Sequence, residues 1–338
     1  MMSSSLQGQS FLTLADTAAT DLRRLVATGL SLKAEKRRRE FPRRLAQRNI
    51  ALIFLEPSLR TRAAFAVAAA DEGAHLEVLR QDDLRFGVKE STRDIARVLG
   101  RQFDAIAMRA DHATIETFAR SAGVPVWNAL SPEHHPTQAL ADMMTIHEAF
   151  GRVDGIRVAF VGDGRSNVAA SLAHVARRWG FHLAIVSPRG RWPGPGVADG
   201  GDAGWLPGSV RVTDSVDDGV AGADVVYGDI WVSMGQEAGT AGLVAALAPY
   251  RITAATLAAT GNPDAIFLHC LPALHDDTTQ FAQAWPDVCD VSDDVFESAR
   301  SRVFDQSENR MHTIKALMLH TLAGATALST MTTTTPEH

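Results

Sequence analysis

Short apolar runs punctuate the chain at Ile50–Leu55, Ala105–Met108, Val124–Asn128, Arg157–Val161, His182–Val186, Val225–Asp229 and Ile266–His269. Runs of this length, closed by polar, Gly or Pro residues, predict buried strands. Between them lie segments that predict helices: Asp16–Lys36, Arg62–Gly73, Thr92–Gly100, Thr114–Ala122, Pro136–Phe150, Val168–Trp179 and His312–Leu322. Strands alternating with helices imply parallel sheets covered on both faces, an α/β protein. Gly151–Gly155 reads as a seam between two domains, 1–150 and 151–310, and Pro188–Gly208 as a Gly/Pro-dense loop. The tail, 326–338, is low in complexity and is expected to be flexible.

Composition changes this picture little. The 338 residues suit two domains, with 46% hydrophobic and 21% charged residues. A net charge of −6 gives no pull toward nucleic acid or anionic membrane, and the basic run Lys36–Arg39 reads as a solvated helix end. Two cysteines, Cys270 and Cys289, form no disulfide framework and suit a reducing compartment. The first residues lack an apolar signal core, so the expectation is a soluble, cytoplasmic protein with no membrane partner.

In open α/β sheets ligands sit beyond the carboxyl ends of the strands, and there the unusual polar residues gather. After Ile50–Leu55 come Glu56-Pro57-Ser58-Leu59-Arg60-Thr61. With Ser58 as cap of a helix starting at Leu59, its free N–H groups, the two hydroxyls and the guanidinium make a phosphate cradle; an ordinary capped helix is the alternative. Pro136 suits a first helical position, which sets His135 at the cap and Gln138 one turn inside, both able to donate to one carbonyl oxygen. Arg109 directly follows a strand. Val161–Asn167 carries glycines after a strand, as dinucleotide sites do. However, Asn167 stands where the third glycine should be and Ser187 where a ribose-binding acid should be, so no nicotinamide cofactor is expected. Asp229 ends a strand and suits an ammonium group, Ser233-Met234-Gly235 forms a small loop, Cys270 lies at another strand end, and Arg310 precedes the closing helix.

Together these segments resemble the aspartate/ornithine carbamoyltransferase family, in its ornithine branch. The family's S-T-R-T-R stands here as Ser58-Leu59-Arg60-Thr61-Arg62 and its H-P-T-Q as His135-Pro136-Thr137-Gln138. The branch's S-M-G is Ser233-Met234-Gly235 and its H-C-L-P-A is His269-Cys270-Leu271-Pro272-Ala273, where the aspartate branch has H-P-L-P. The resemblance spans Phe11 to Leu322. It implies two doubly wound domains linked by long helices, a C-terminal helix (311–325) returning to the first domain, and transfer of a carbamoyl group from carbamoyl phosphate to L-ornithine. No metal or other cofactor is implied. The implied assembly is a homotrimer or a multiple of trimers, with the loop Asp82–Ser91 completing a neighbour's site.

By that resemblance Ser58, Leu59, Arg60, Thr61, Arg85, Arg109, His135, Gln138, Cys270, Leu271 and Arg310 hold carbamoyl phosphate. Arg60, Arg109, His135, Cys270 and Arg310 are the catalytic set, and Asn167, Asp229, Ser233 and Met234 hold ornithine. Two positions depart from the family: Leu59 replaces a threonine, and the neighbour loop, usually S-Q-x-G-H-K-E-S, reads Leu84-Arg85-Phe86-Gly87-Val88-Lys89-Glu90-Ser91. These changes are similar to those of ornithine carbamoyltransferases that resist phosphate-mimicking toxins. The alternatives are a relative using acylornithine, putrescine or a secondary-metabolite amine, and a non-catalytic binding relative.

Overall fold

The computed structural model describes residues 6–84, 86–198, 208–232 and 240–323. It divides into two compact units, one running to Met144 and resuming at Glu308, the other Thr145–Ser307. Arg85, Ser233, Met234 and the tail 326–338 lie outside the described residues.

The first unit carries α1 (Ala19–Arg37), β1 (Asn49–Phe54), α2 (Arg60–Asp71), β2 (His75–Arg80), α3 (Gln81–Leu84), α4 (Thr92–Gln102), β3 (Ala105–Arg109), α5 (His112–Ser121), β4 (Val126–Leu130) and the start of α6 (Pro136–Phe150). Its strands form one parallel sheet in the order β2-β1-β3-β4. Ile50, Ala51, Leu52 and Ile53 of β1 are all fully buried, which is why the strand reads as an unbroken apolar run. Ser91 and Asp111 cap α4 and α5 by accepting the N–H of Asp94 and Thr114.

The second unit holds β5 (Arg157–Val161), α7 (Asn167–Trp179), β6 (His182–Val186), β7 (Val210–Thr213), α8 (Val216–Val220), β8 (Val225–Gly228), α9 (Thr240–Leu247), α10 (Ala254–Ala259), β9 (Ile266–His269), α11 (Gln280–Ala284) and α12 (Asp293–Phe296). Its sheet is also parallel, in the order β7-β6-β5-β8-β9. The chain returns to the first unit within α13 (Val303–Leu322), which contacts α1 there: Lys33 Nζ donates to Asn309 Oδ1 over 2.8 Å, and Thr28 Oγ1 lies 2.9 Å from His320 Nε2.

Three features differ from the sequence reading. Strands β2 and β7 lie at sheet edges and present no apolar run, and His75, Glu77 and Arg80 of β2 are exposed, whereas the opposite edges β4 and β9 are buried. Helix α13 begins nine residues earlier than His312, since Gln306, Asn309, Arg310 and Thr313 are buried polar residues that break the apolar period. Ser58 does not cap α2: the cap position is Leu59, whose backbone is already helical (φ −76°, ψ −62°) and which offers no side-chain acceptor. No helix among the described residues is long and apolar enough to cross a membrane.

In each sheet the strand order reverses once, between β1 and β3 and between β5 and β8. At such a reversal the connections leave in opposite directions and open a crevice beyond the strand ends.

Candidate functional site

At the reversal in the first unit, β1 leads into the first turn of α2 with Arg60 and Thr61, and β3 ends on Arg109, paired in register with Phe54. Arg109 Nη2 reaches Glu56 Oε2 at 3.0 Å, while its buried Nε has no hydrogen-bond partner among the described residues. His135 precedes Pro136, and its carbonyl accepts the Gln138 N–H at 3.1 Å, so the α6 start matches expectation. From α13, Arg310 Nη1 donates to Thr61 Oγ1 at 3.1 Å and lies 3.4 Å from His135 Nε2.

Burial, and then the positive charges of Arg310, Arg109 and Arg60, hold the His135 pKa well below its ordinary range. The ring is therefore neutral. A guanidinium only donates, so Nε2 is the acceptor in this contact and the ring proton sits on Nδ1. Gln138 gives its Nε2 to Asp142 Oδ1 at 2.8 Å, and its buried Oε1 has no partner among the described residues. Three guanidiniums, a neutral imidazole and the N-terminus of α2 make an anion site with an open amide acceptor beside it. Ser58 is half-buried and Leu59 is 78% exposed at the same helix start.

At the reversal in the second unit, Asp229 follows β8 and Cys270 follows β9, both buried. Asp229 Oδ1 accepts from Cys270 Sγ and from the Ile230 N–H, each at 2.9 Å, and the Ser166 hydroxyl also bonds the carboxylate. Burial nevertheless dominates and raises the Asp229 pKa. A carboxylate in this state gains most from a cation brought to it. Asn167 is the first residue of α7, directly after Ser166.

Leu271 has left-handed backbone (φ 57°), a conformation costing a leucine roughly 1–3 kcal/mol. Its N–H is held by His269 Nδ1 at 3.0 Å, and His269 Nε2 faces Asp290 Oδ1 at 3.3 Å. Asp290 Oδ2 accepts the Leu274 N–H at 3.1 Å. Gln306 ties the His269 N–H to the Tyr227 hydroxyl. Sequence reasoning did not single out Ser166, Gln306, Tyr227 or Asp290 as site residues. Ser166 alone left a signal, as a cap residue directly before Asn167.

The carbamoyl-P binding domain of aspartate/ornithine carbamoyltransferases matches residues 9–148, and the Asp/Orn binding domain of the same enzymes matches residues 154–321. The chain belongs to the aspartate/ornithine carbamoyltransferase family. It is 46% identical over 325 residues to the phaseolotoxin-insensitive ornithine carbamoyltransferase 2 of Pseudomonas syringae pv. actinidiae, covering 95% of this chain and 99% of that one. It is 45% identical over 333 residues to a catabolic ornithine carbamoyltransferase of Streptococcus gordonii, covering 95% and 98%. The solved structure of ornithine carbamoyltransferase from Pyrococcus furiosus superposes with a TM-score of 0.85 at 36% identity, over 95% of this chain and 99% of that one.

For a carbamoyltransferase the two clusters are chemically apt. The first offers cationic and neutral donors to a phosphate and a carbonyl oxygen, and the second offers a buried carboxylate to an ammonium.

Proposed function

We propose that this carbamoyltransferase moves the carbamoyl group of carbamoyl phosphate onto the side-chain amine of L-ornithine, giving L-citrulline and phosphate. The observation that carries this reading is Asp229, a buried carboxylate whose hydrogen-bond donors among the described residues are a thiol, a hydroxyl and an amide. It suits the α-ammonium of a free amino acid, which acylornithine has masked. Ornithine is also the substrate in the names of the relatives.

The neutral amine attacks the carbamoyl carbon, the carbonyl oxygen takes negative charge, and the bond from that carbon to the bridging oxygen of the phosphate breaks. Phosphate leaves with the electron pair and takes up the proton that the attacking amine loses. Catalysis here is positioning plus electrostatics. Arg60, Arg109, the hydroxyls of Ser58 and Thr61, the Leu59 amide and Arg85 receive the phosphate. Arg310 and the Nδ1–H form of His135 polarise the carbonyl. The open Oε1 of Gln138 accepts from the carbamoyl NH2, with Cys270 and Leu271 completing that side as the family resemblance implies. Asn167, Asp229, Ser233 and Met234 receive the amino acid. Cys270 acts as a donor to Asp229, with no covalent intermediate.

The same reading makes the active form a trimer or a multiple of trimers in the cytoplasm. Leu59 and Val88 are 78% and 71% exposed, and a second copy of the chain would cover them. Leu59 and Arg85 tune the phosphate subsite against bulky carbamoyl-phosphate mimics. The deciding experiment is a carbamoylation assay with L-ornithine, N-acetylornithine and putrescine. L-ornithine should have the highest kcat/KM by far, and a preference for either other amine would overturn the reading.

A further inference from the structure

The turn after β5, residues 162–167, looks like a dinucleotide-binding loop, yet it is braced from the side by the segment after β6. The two strands are sheet neighbours, with Val161 opposite Val186, so the turns that follow them meet. Gly162 donates to the Val186 carbonyl and Gly164 to Ser187 Oγ, each at 3.0 Å, and Ser187 Oγ in turn donates to the Arg191 carbonyl at 3.1 Å. Arg191 then reaches back with both arms of its guanidinium onto Asp163, Nε to Oδ1 at 3.0 Å and Nη2 to Oδ2. Trp192 Nε1 donates to the Ser187 carbonyl, and Arg165 Nε donates to that of Trp192. A Cβ on Gly164 would lie 2.8 Å from the Arg191 carbonyl oxygen, so this glycine is required by the brace rather than by a pyrophosphate.

What the brace holds is the amino-acid side of the site. Asp163 accepts the Arg165 N–H on Oδ1 and the Ser166 N–H on its carbonyl, both at 3.0 Å. Ser166 caps α7 through the Ala169 N–H and bonds the Asp229 carboxylate, and Asn167 comes next. A continuous chain of directional bonds thus runs from the Arg191 guanidinium through Asp163 and Ser166 to Asp229.

We propose that Arg191 and Asp163 are positioning residues for the amino-acid substrate: their bidentate pair fixes the turn that aims Ser166 and Asn167 beside Asp229. Neither touches the reacting groups. The inference rests on the reading that Asp229 and Asn167 receive ornithine. The Arg191 side chain is 32% exposed, and an ion pair of that exposure contributes little to overall stability. A positional role therefore separates from a structural one.

The test measures both Michaelis constants and Tm for Arg191→Ala, Arg191→Lys and Gly164→Ala, alongside Asp229→Asn and the double variant Arg191→Ala with Asp229→Asn. Arg191→Ala should raise the KM for ornithine about tenfold or more, since displacing a positioning group by an ångström costs up to about a hundredfold. The KM for carbamoyl phosphate and the Tm should stay at wild-type values. Arg191→Lys should recover little of the loss, because lysine cannot form the two-armed contact. In the Asp229→Asn background the Arg191 substitution should add less than it does in the wild type. An unchanged ornithine KM in Arg191→Ala overturns the inference, as does an equal rise of both constants or a full additive effect in the double variant. If Arg191→Ala fails to fold, Gly164→Ala decides by the same constants. An unimpaired Asp229→Asn enzyme would instead refute the underlying assignment of Asp229.

Discussion

The thiol of Cys270 donates to Oδ1 of Asp229 across 2.9 Å. The two residues stand one position beyond His269 and Gly228, which are paired in register on adjacent strands β9 and β8. The regular register of the parallel ladder therefore brings donor beside acceptor. This contact spends the thiol proton on a carboxylate and gives Cys270 a supporting role rather than a nucleophilic one.

Asp229→Asn keeps the shape of that contact and removes the charge. Losing the partner of a buried cation costs about 3–5 kcal/mol, so kcat/KM for ornithine should fall by about two to four orders of magnitude. Carbamoyl-phosphate binding should persist. Burial raises the Asp229 pKa, so above the ordinary carboxylate range this group opposes folding in the empty enzyme. The substitution should then leave Tm equal or higher, which calorimetry without ligand would check.

Arg310→Lys addresses the first cluster. Arg310 serves Thr61 and His135 from one nitrogen. Lysine keeps the charge and loses the fork. Each charge-assisted bond lost costs about 1.5–3 kcal/mol, so steady-state kinetics should show kcat/KM for carbamoyl phosphate falling at least about tenfold. Wild-type kinetics would remove Arg310 from the site.

Acid stability should be limited by the first unit. His135 has a pKa well below its ordinary value, and His312 and His320 are both lowered to about 4, in each case chiefly by burial. The folded form thus binds fewer protons than the unfolded one, and stability falls as pH drops from about 6.5 toward the folded values. Asp229 and Asp290, with raised pKa values, act with the opposite sign in the second unit. Hydrogen exchange at pH 7 and pH 5 should show protection lost first in β1 and β3. Equal loss in both units would contradict this.

Leu59→Thr together with Arg85→Gln restores the residues usual in the family. The threonine returns a hydroxyl at the cap position of α2, and the glutamine removes a permanent charge. Tight inhibition by a phosphonate conjugate spanning both subsites should return, and the KM for carbamoyl phosphate should fall. Identical inhibition and Michaelis constants in wild type and double variant would dismiss the idea that these positions tune the site.

Much of this protein is determined by its sequence taken alone. Strands β1, β3, β5, β6, β8 and β9 are legible because their interior positions are buried and leave little room for polar residues. The motif residues at their ends stand out because a strand end is where polar groups can emerge. Tertiary structure alone decided the edge strands β2 and β7, which are half-covered and so carry mixed side chains. It also decided which partner each site residue takes: Arg310 on Thr61 and His135, Cys270 on Asp229, His269 between Leu271 and Asp290, and Arg191 on Asp163. Those partners are separated along the chain by two to about 250 residues, and hydrogen bonds of a few ångströms leave no periodic trace in sequence. Periodicity reports which face of an element is dry, whereas the pairing of polar groups depends on how sheets order their strands.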